Sequence, residues 1–362
     1  MMRTLIVLLL AASELFAQTT GKVDLLKRTE ELEALIAAGE WGKASELSRA
    51  LRVAVTEARN RSLAAKGSEL ADSILDWLPA DTETLVVAQE PFSITKQDQT
   101  GIPTALRLAQ DYVLGLLAVA ENEKLAEALL GRTIRLAALG ARRFENHPPL
   151  QNDVLPLGMI AYQGCAVYAF AEPLPEAILS RPSDDSVIGH RVWISKGTQN
   201  DRPNSDTYLV SLLQPDLMTV CNNREFFQEI VSRKGIPREA RALPPELPEW
   251  KHLDRTAPLW AICHYRPDGL LVHLLDRSDA GSGSEATGVA VEFGLASGVT
   301  RARMISKSDP WMGFADNAEF HGAAKSRKVA DGVWELSISD NPEAANMTAF
   351  ALMGMVGFVV LI

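Results

Sequence analysis

The chain has 362 residues, of which 47% are hydrophobic and 23% are charged. This composition is typical of a globular protein, and it excludes a disordered tail, a collagen, a disulfide miniprotein and a polytopic transporter. The 36 basic and 46 acidic residues leave a net charge of -10, which opposes binding to a phosphate backbone. We therefore expect no nucleic-acid partner, and we interpret the short basic groups at Arg142–Arg143 and Lys325–Arg327 as solvated faces.

Residues 1–17 have the three-part order of a secretory signal peptide. Arg3 supplies the positive segment, an apolar run covers residues 5–12, and Ala17 ends a small-residue site before Gln18. The apolar run is too short to span a bilayer. We expect cleavage after Ala17 and an exported protein, either periplasmic or extracellular.

The three cysteines, Cys165, Cys221 and Cys263, lie far apart in segments that have the pattern of buried strands. No two of them have a spacing typical of metal ligands. In an oxidising compartment, one disulfide with one free thiol is an alternative to three buried, reduced cysteines. The apolar segments favour three buried thiols that act as small apolar side chains.

Residues 18–78 are predicted to form a helical arm. Leu25, Leu32 and Leu35 mark one face of a helix that stops at Gly39, and one or two further helices follow around Gly67. A single pair of helices is too little for a repeat array, so we expect an arm that packs on the rest of the protein.

Residues 79–158 are predicted to form one strand and a helical region. The strand is Thr84–Ala88, and an amphipathic helix covers Pro103 to about Leu139. The segment from Pro79 to Val87 resembles that of uncharacterised exported bacterial proteins whose mature part opens on a Pro-Ala-Asp-Thr strand. The resemblance implies an exported α+β protein of no established activity, and it supplies no catalytic residues.

Strands are predicted to dominate after residue 158. We expect a first sheet-plus-helix unit at 159–236, a Pro-rich connector at 237–258 and a second unit at 259–362. The predicted strands are Met159–Phe170, His190–Lys196, Thr207–Leu213, Leu217–Cys221, Leu259–Tyr265, Leu270–Leu275, Gly288–Phe293, Ala302–Lys307 and Val333–Ser339.

The two predicted units show signs of duplication. The segment Trp193–Lys196 is similar to Met304–Lys307, and each is followed by a predicted helix start, at Asn223 and at Asn341. Asn is a favoured N-cap because its side chain accepts a free backbone N–H. The fold class is therefore predicted to be α+β: an N-terminal helical arm, then duplicated antiparallel-sheet units, each with helices on one face.

The candidate binding residues are His264, His273 and Asp276. Pro267–Gly269 lies between two apolar runs and predicts a hairpin turn. In one register the two histidines share a face with Asp276 nearby, and they could act as acid and base; with a bulge at the turn they lie on opposite faces. No third ligand accompanies them, so we predict no metal site, no cofactor and no assigned catalytic residue.

The last 19 residues, 344–362, carry no charge. They could span a bilayer as a helix, which would attach the protein to a membrane, but no Lys or Arg flanks them. We favour a buried helix and strand over membrane attachment.

Two hypotheses for function follow from the sequence. The first is an exported, non-enzymatic protein that binds a protein or a small ligand in the cell envelope. The second is an exported hydrolase with a site near His264 and His273.

Overall fold

A computed structural model gives the fold of the chain. It describes residues 21–89, 91–93, 127–143, 162–179, 183, 185–196, 207–234, 241–264, 287–293, 299–310 and 324–339. The chain divides into two compact units, Met1–Ala65 and Lys66–Ile362.

The α-helices of the described residues are α1 (Gly21–Ala37), α2 (Trp41–Trp77) and α3 (Arg224–Arg233). Short 3₁₀ helices cover Glu176–Ile178 and Pro248–His252. The strands are β1 (Thr84–Ala88), β2 (Phe92–Ser93), β3 (Thr133–Arg143), β4 (Tyr162–Phe170), β5 (Asp185–Val187), β6 (His190–Lys196), β7 (Thr207–Gln214), β8 (Leu217–Cys221), β9 (Leu259–His264), β10 (Gly288–Phe293), β11 (Val299–Ile305), β12 (Ala324–Ala330) and β13 (Val333–Ser339).

In the first unit, α1 ends at Ala37, two residues before the predicted stop at Gly39. Gly39 has a φ of 74°, and the Glu40 N–H donates to the Leu35 carbonyl oxygen at 3.0 Å. This arrangement satisfies helix-end carbonyls and favours glycine because the left-handed conformation is strained for other residues. Leu32 of α1 is buried with Ala44 and Leu51 of α2. Of the one or two further helices expected around Gly67, the structure has one, since α2 is a single helix of 37 residues.

In the second unit, the thirteen strands of the described residues all belong to one antiparallel sheet. Twelve of them follow the order β12-β13-β11-β10-β9-β1-β3-β4-β8-β7-β6-β5, and β2 pairs with β3 outside this path. The predicted α+β class, with two separate sheet-plus-helix units, is therefore wrong. The sheet is continuous because β1 pairs with β3 on one side and with β9 on the other.

The expected duplication does not produce two separate units in the fold. Trp193–Lys196 lies in β6, and Met304 and Ile305 lie in β11, so both segments contribute strands to the same sheet. The helix start at Asn223 is confirmed, whereas Asn341 lies outside the described residues.

The end of the helix predicted for Pro103–Leu139 is wrong, because residues 133–143 form β3. Leu and Ala favour helices, but the segment lies between β1 and β4 and pairs with both. Gly140 allows a close approach here: a Cβ on it would lie 2.7 Å from the Leu78 side chain. Tertiary pairing thus overrides local propensity.

Several predicted strands agree with the structure from end to end: Thr84–Ala88, His190–Lys196, Leu217–Cys221, Gly288–Phe293 and Val333–Ser339. The basic group at Lys325–Arg327 lies in β12, which the sequence did not predict as a strand. This strand is at one end of the strand order and is largely exposed.

The core face of the sheet is the face that carries Leu85, Ala138, Val167 and Trp260. Directly opposite residues of antiparallel strands share a face, so the register assigns each position to this face or to the other. The end of α2, helix α3 and the connector pack against the core face. Phe226 and Phe227 of α3 are fully buried there, and Asn223 caps the helix by accepting the Phe226 N–H at 2.9 Å. The candidate functional site also lies on the core face.

Candidate functional site

His264, one of the three predicted site residues, is the last residue of β9. Its backbone N–H donates to the Glu83 carbonyl oxygen at 2.9 Å, and it lies opposite Gly288 of β10 in the register. His264 has the same strand parity as Ile262, which places it on the core face. Its side chain is 36% exposed, so solvent can reach the ring.

The partner of this histidine is Glu249, which the sequence analysis did not single out. Glu249 lies in the first turn of the 3₁₀ helix Pro248–His252, which packs over β9, β10 and β11. Trp250 anchors that helix: its indole N–H donates to the Leu243 carbonyl oxygen at 2.9 Å, and its ring meets Trp260 edge-on with centroids 6.1 Å apart. This tertiary packing helps to bring Glu249 to the histidine.

The two side chains form a carboxylate–histidine pair. Nδ1 of His264 lies 3.0 Å from Oε1 of Glu249, and the Glu249 side chain has no exposed surface. Among the described residues, Oε2 of Glu249 has no hydrogen-bond partner. A buried carboxylate that accepts a hydrogen bond from the Nδ1–H group holds the ring in one orientation and leaves Nε2 as the hydrogen-bond acceptor.

Gly288 makes room for the buried carboxylate. A Cβ at this position would overlap Oε1 of Glu249 and would lie 2.7 Å from the Cys263 carbonyl oxygen. Real Cβ atoms do not approach other heavy atoms this closely. A residue without a side chain is therefore needed opposite His264.

An imidazole held in this way could act as a general base or as a metal ligand. The adjacent cysteine does not supply a nucleophile, because Cys263 lies on the other face of the sheet and its thiol accepts from the Thr84 hydroxyl at 3.1 Å. Burial raises the pKa of the Cys263 thiol; the hydrogen bond from Thr84 lowers it, but burial together with the charges of Glu83 and Glu249 outweighs this. The thiol is therefore neutral, as the sequence analysis expected of a buried cysteine.

We expect the neutral His264 ring to carry its proton on Nδ1. In ¹⁵N NMR of the histidine-labelled protein, the His264 Nδ1 signal should be of the protonated type and Nε2 of the unprotonated type. In Glu249→Leu, the ring loses its acceptor and should shift towards the Nε2–H tautomer. His190→Gln is the control for assignment and should leave the His264 signals unchanged. An unaltered tautomer in Glu249→Leu would contradict the pairing.

His273 and Asp276 lie outside the described residues. The hairpin predicted at Pro267–Gly269 lies outside the described residues as well. Within those residues, strand β9 pairs with β1 along one edge and with β10 along the other.

A second polar cluster lies next to the pair and is centred on Arg303 of β11. The guanidinium contacts Glu292 and Glu335, each at 2.8 Å, and donates to the His252 carbonyl oxygen at 2.7 Å. Arg327 of β12 also contacts Glu335, at 2.6 Å. Burial works against the charge of Arg303, but the hydrogen bonds and charges of Glu335 and Glu292 outweigh it and raise its pKa. These charges connect four strands, β10 to β13, and the 3₁₀ helix.

A third cluster surrounds Arg142 of β3, which the sequence analysis expected on a solvated face. Arg142 is instead half-buried, with its guanidinium 2.9 Å from Asp81 and 2.7 Å from Glu229. It also donates to the Gln163 side chain at 2.7 Å and lies over the Phe226 ring, 5.2 Å from its centroid. Burial works against this charge too, but the two carboxylates outweigh it and raise the pKa of Arg142.

Two further findings concern the described residues alone. No group of three His, Cys, Asp or Glu side chains in those ranges could hold a metal ion. Within the same ranges, no helix has the length and apolar character needed to cross a membrane. The C-terminal segment 344–362 lies outside them.

No protein-family model matches the sequence, and no curated protein matches it. Among solved structures, the chain is similar to crystal form I of TP0453, with 10% identity, a TM-score of 0.40, and coverage of 78% of this chain and 97% of that chain. It is also similar to crystal form III of TP0453, with 12% identity, a TM-score of 0.38, and coverage of 77% and 97% respectively.

Proposed function

We propose that this protein is an exported, non-enzymatic protein that binds a protein or a small ligand in the cell envelope. The observation that supports this most directly is the pairing of the charges on the core face. Arg142 pairs with Asp81 and Glu229, and Arg303 pairs with Glu292 and Glu335, each cluster linking segments far apart in the chain. Charges used in this way hold a scaffold together rather than converge on a reacting group.

The signal-like segment at residues 1–17 supports the exported part of the proposal. Mass spectrometry of the full chain expressed in a bacterial host tests it. We expect the protein in the periplasm or the medium, with Gln18 as its first residue. Ala17→Asp should block cleavage, because the cleavage site needs a small residue, and the precursor should accumulate. Uncleaved wild-type protein in the cytoplasm would overturn the proposal of export.

The His264–Glu249 pair favours an exported hydrolase as the second candidate. Chemically, the pair is similar to a general base that a carboxylate holds in position, and the His264 side chain is partly exposed to solvent. Chromogenic ester, amide and phosphoester substrates distinguish the two functions. A binding protein should give background rates that are equal in wild type and His264→Gln. A rate that falls about 100-fold or more in His264→Gln, but not in His190→Gln, would establish the hydrolase instead.

A further inference from the structure

Two of the three cysteines face each other across neighbouring strands. Cys165 of β4 is the register partner of Cys221 of β8, and the register between these strands is regular from Cys165 to Ala169. Their exposed fractions are 1% and 0%. The sequence left the pairing of the cysteines open, and the strand order now brings these two together.

The backbone at this position suits a disulfide. The Asn222 N–H donates to the Gly164 carbonyl oxygen at 3.2 Å, and the Phe170 N–H donates to the Asp216 carbonyl oxygen at 2.8 Å. Hydrogen-bonded pairs alternate along an antiparallel ladder, so the Cys165–Cys221 pair is a non-hydrogen-bonded one. In such pairs the Cα atoms lie about 4.5 Å apart, which is within the usual range of about 4.4–6.8 Å for disulfides.

The side chains are also in contact. Directly opposite residues point to the same face, so the two cysteine side chains are neighbours on the core face. The only hydrogen bond of the Cys165 thiol within the described residues goes to the Ala166 carbonyl oxygen of its own strand, at 3.5 Å. Cys263 cannot replace either of them. It lies on β9, which β1 and β3 separate from β4, and its thiol is on the face opposite the core face.

We propose that Cys165 and Cys221 form a disulfide when the protein folds in an oxidising compartment, while Cys263 remains a thiol. The bond would fasten β4 to β8 beneath helix α3. Its occurrence in the cell rests on the proposed export, whereas its geometry does not. Secreted proteins meet oxidants that sustain such bonds, and cytosolic proteins do not.

The reaction needs an oxidant, and a disulfide such as oxidised glutathione supplies it. One cysteine thiolate attacks glutathione disulfide and releases one glutathione, leaving a mixed disulfide. The second cysteine thiolate attacks the protein sulfur of that mixed disulfide and releases the other glutathione. Two electrons pass from the cysteine sulfurs to glutathione, and the two thiol protons end on the two released glutathione molecules.

Burial determines when the bond forms. Burial raises the pKa of the Cys221 thiol, and the neighbouring Cys165 thiol raises it further. The thiolate is the reactive species, so the folded dithiol should react slowly with an oxidant. Oxidation should therefore take place during folding, before the sheet is covered.

Refolding of the full chain in a glutathione redox buffer tests the proposal. We expect wild type to lose the mass of two hydrogens and to keep one thiol that reacts in denaturant. Peptide mapping should find Cys165 joined to Cys221. The oxidised protein should melt roughly 5–10 °C above the reduced protein, because the bond closes a long loop in the unfolded chain.

Cys263→Ala is the matched control, since it removes an equally buried thiol from the same sheet. It should still lose two hydrogens and should keep no reactive thiol. Cys165→Ala and Cys221→Ala should each keep two thiols. Three reactive thiols in refolded wild type, a persistent glutathione adduct, or a disulfide that includes Cys263 would overturn the proposal. Retention of the precursor in the cytoplasm would refute export and leave this result unchanged.

Discussion

Replacement of Arg303 by methionine is expected to lower the free energy of unfolding by about 3–5 kcal/mol, the range observed when one partner of a buried ion pair is removed. The Glu335 side chain is only 2% exposed, and Glu292 is largely buried as well. Without the guanidinium, Glu292 loses its cation, and the His252 carbonyl oxygen loses a donor. Urea unfolding followed by tryptophan fluorescence measures the effect.

Arg327→Met is the matched control for this prediction. Arg327 contacts the same carboxylate, but its side chain is 68% exposed, and Glu335 keeps Arg303 as a partner. We expect a loss of at most about 1 kcal/mol, because exposed ion pairs contribute little. The double variant Arg303→Met/Glu292→Gln should recover part of the loss, because it removes the carboxylate that has lost its cation. Equal losses in Arg303→Met and Arg327→Met would contradict the importance of burial.

The same cluster should make stability depend on pH. Burial works to raise the pKa of Glu335, but the hydrogen bonds and charges of Arg303 and Arg327 outweigh it and lower this pKa below its ordinary value. A carboxyl with a lowered folded pKa stabilises the protein above its unfolded pKa of about 4.3, and this contribution is lost as the pH falls through the folded pKa. In Arg303→Met the pKa of Glu335 is lowered less, so its contribution should be smaller and its loss should be complete at a higher pH.

Replacement of Gly288 by alanine is expected to lower the free energy of unfolding by about 3 kcal/mol, at the upper end of the usual cost of overpacking. The added Cβ would overlap the Glu249 carboxylate and crowd a backbone carbonyl, so a flexible side chain cannot simply turn away. Either the 3₁₀ helix or β10 must move. We therefore also expect the His264 tautomer signals to resemble those of Glu249→Leu.

Two other glycines serve as controls for this substitution. Gly42→Ala places a Cβ where no atom lies within 4 Å, and in a helix it should be neutral or stabilising by up to about 1 kcal/mol. At Gly140 the three atoms nearest to an added Cβ all belong to the Leu78 side chain, whereas at Gly288 a backbone carbonyl oxygen is among them, so Gly140→Ala should cost less than Gly288→Ala. A cost at Gly288 no larger than at Gly140 would show that the Glu249 carboxylate does not need this space.

Among the site residues, the sequence predicted His264 but not its partner. Glu249 is one of the 46 acidic residues of the chain. It lies in the connector 237–258, which was interpreted only by its proline content. Its role depends on the packing of Trp250 against Trp260 and on the space at Gly288, which comes from a different strand. Two features of the sequence relate to this site: Pro248 precedes an acid at a helix start, and a glycine lies opposite the histidine. Neither predicts the Glu249–His264 contact unless the pairing register of β9 and β10 is known.

The sequence by itself determined the local elements: the strands Thr84–Ala88 and Gly288–Phe293, the end of α1 just before Gly39 and the cap of α3 at Asn223. These depend on side-chain period and on backbone groups within a few residues, so neighbouring residues specify them. Only the tertiary structure decided that β1 joins all strands into one sheet, that Glu249 meets His264, and that Cys165 faces Cys221. Strand order and register arise from burial and pairing between distant segments, and no local pattern encodes which partner a buried strand takes.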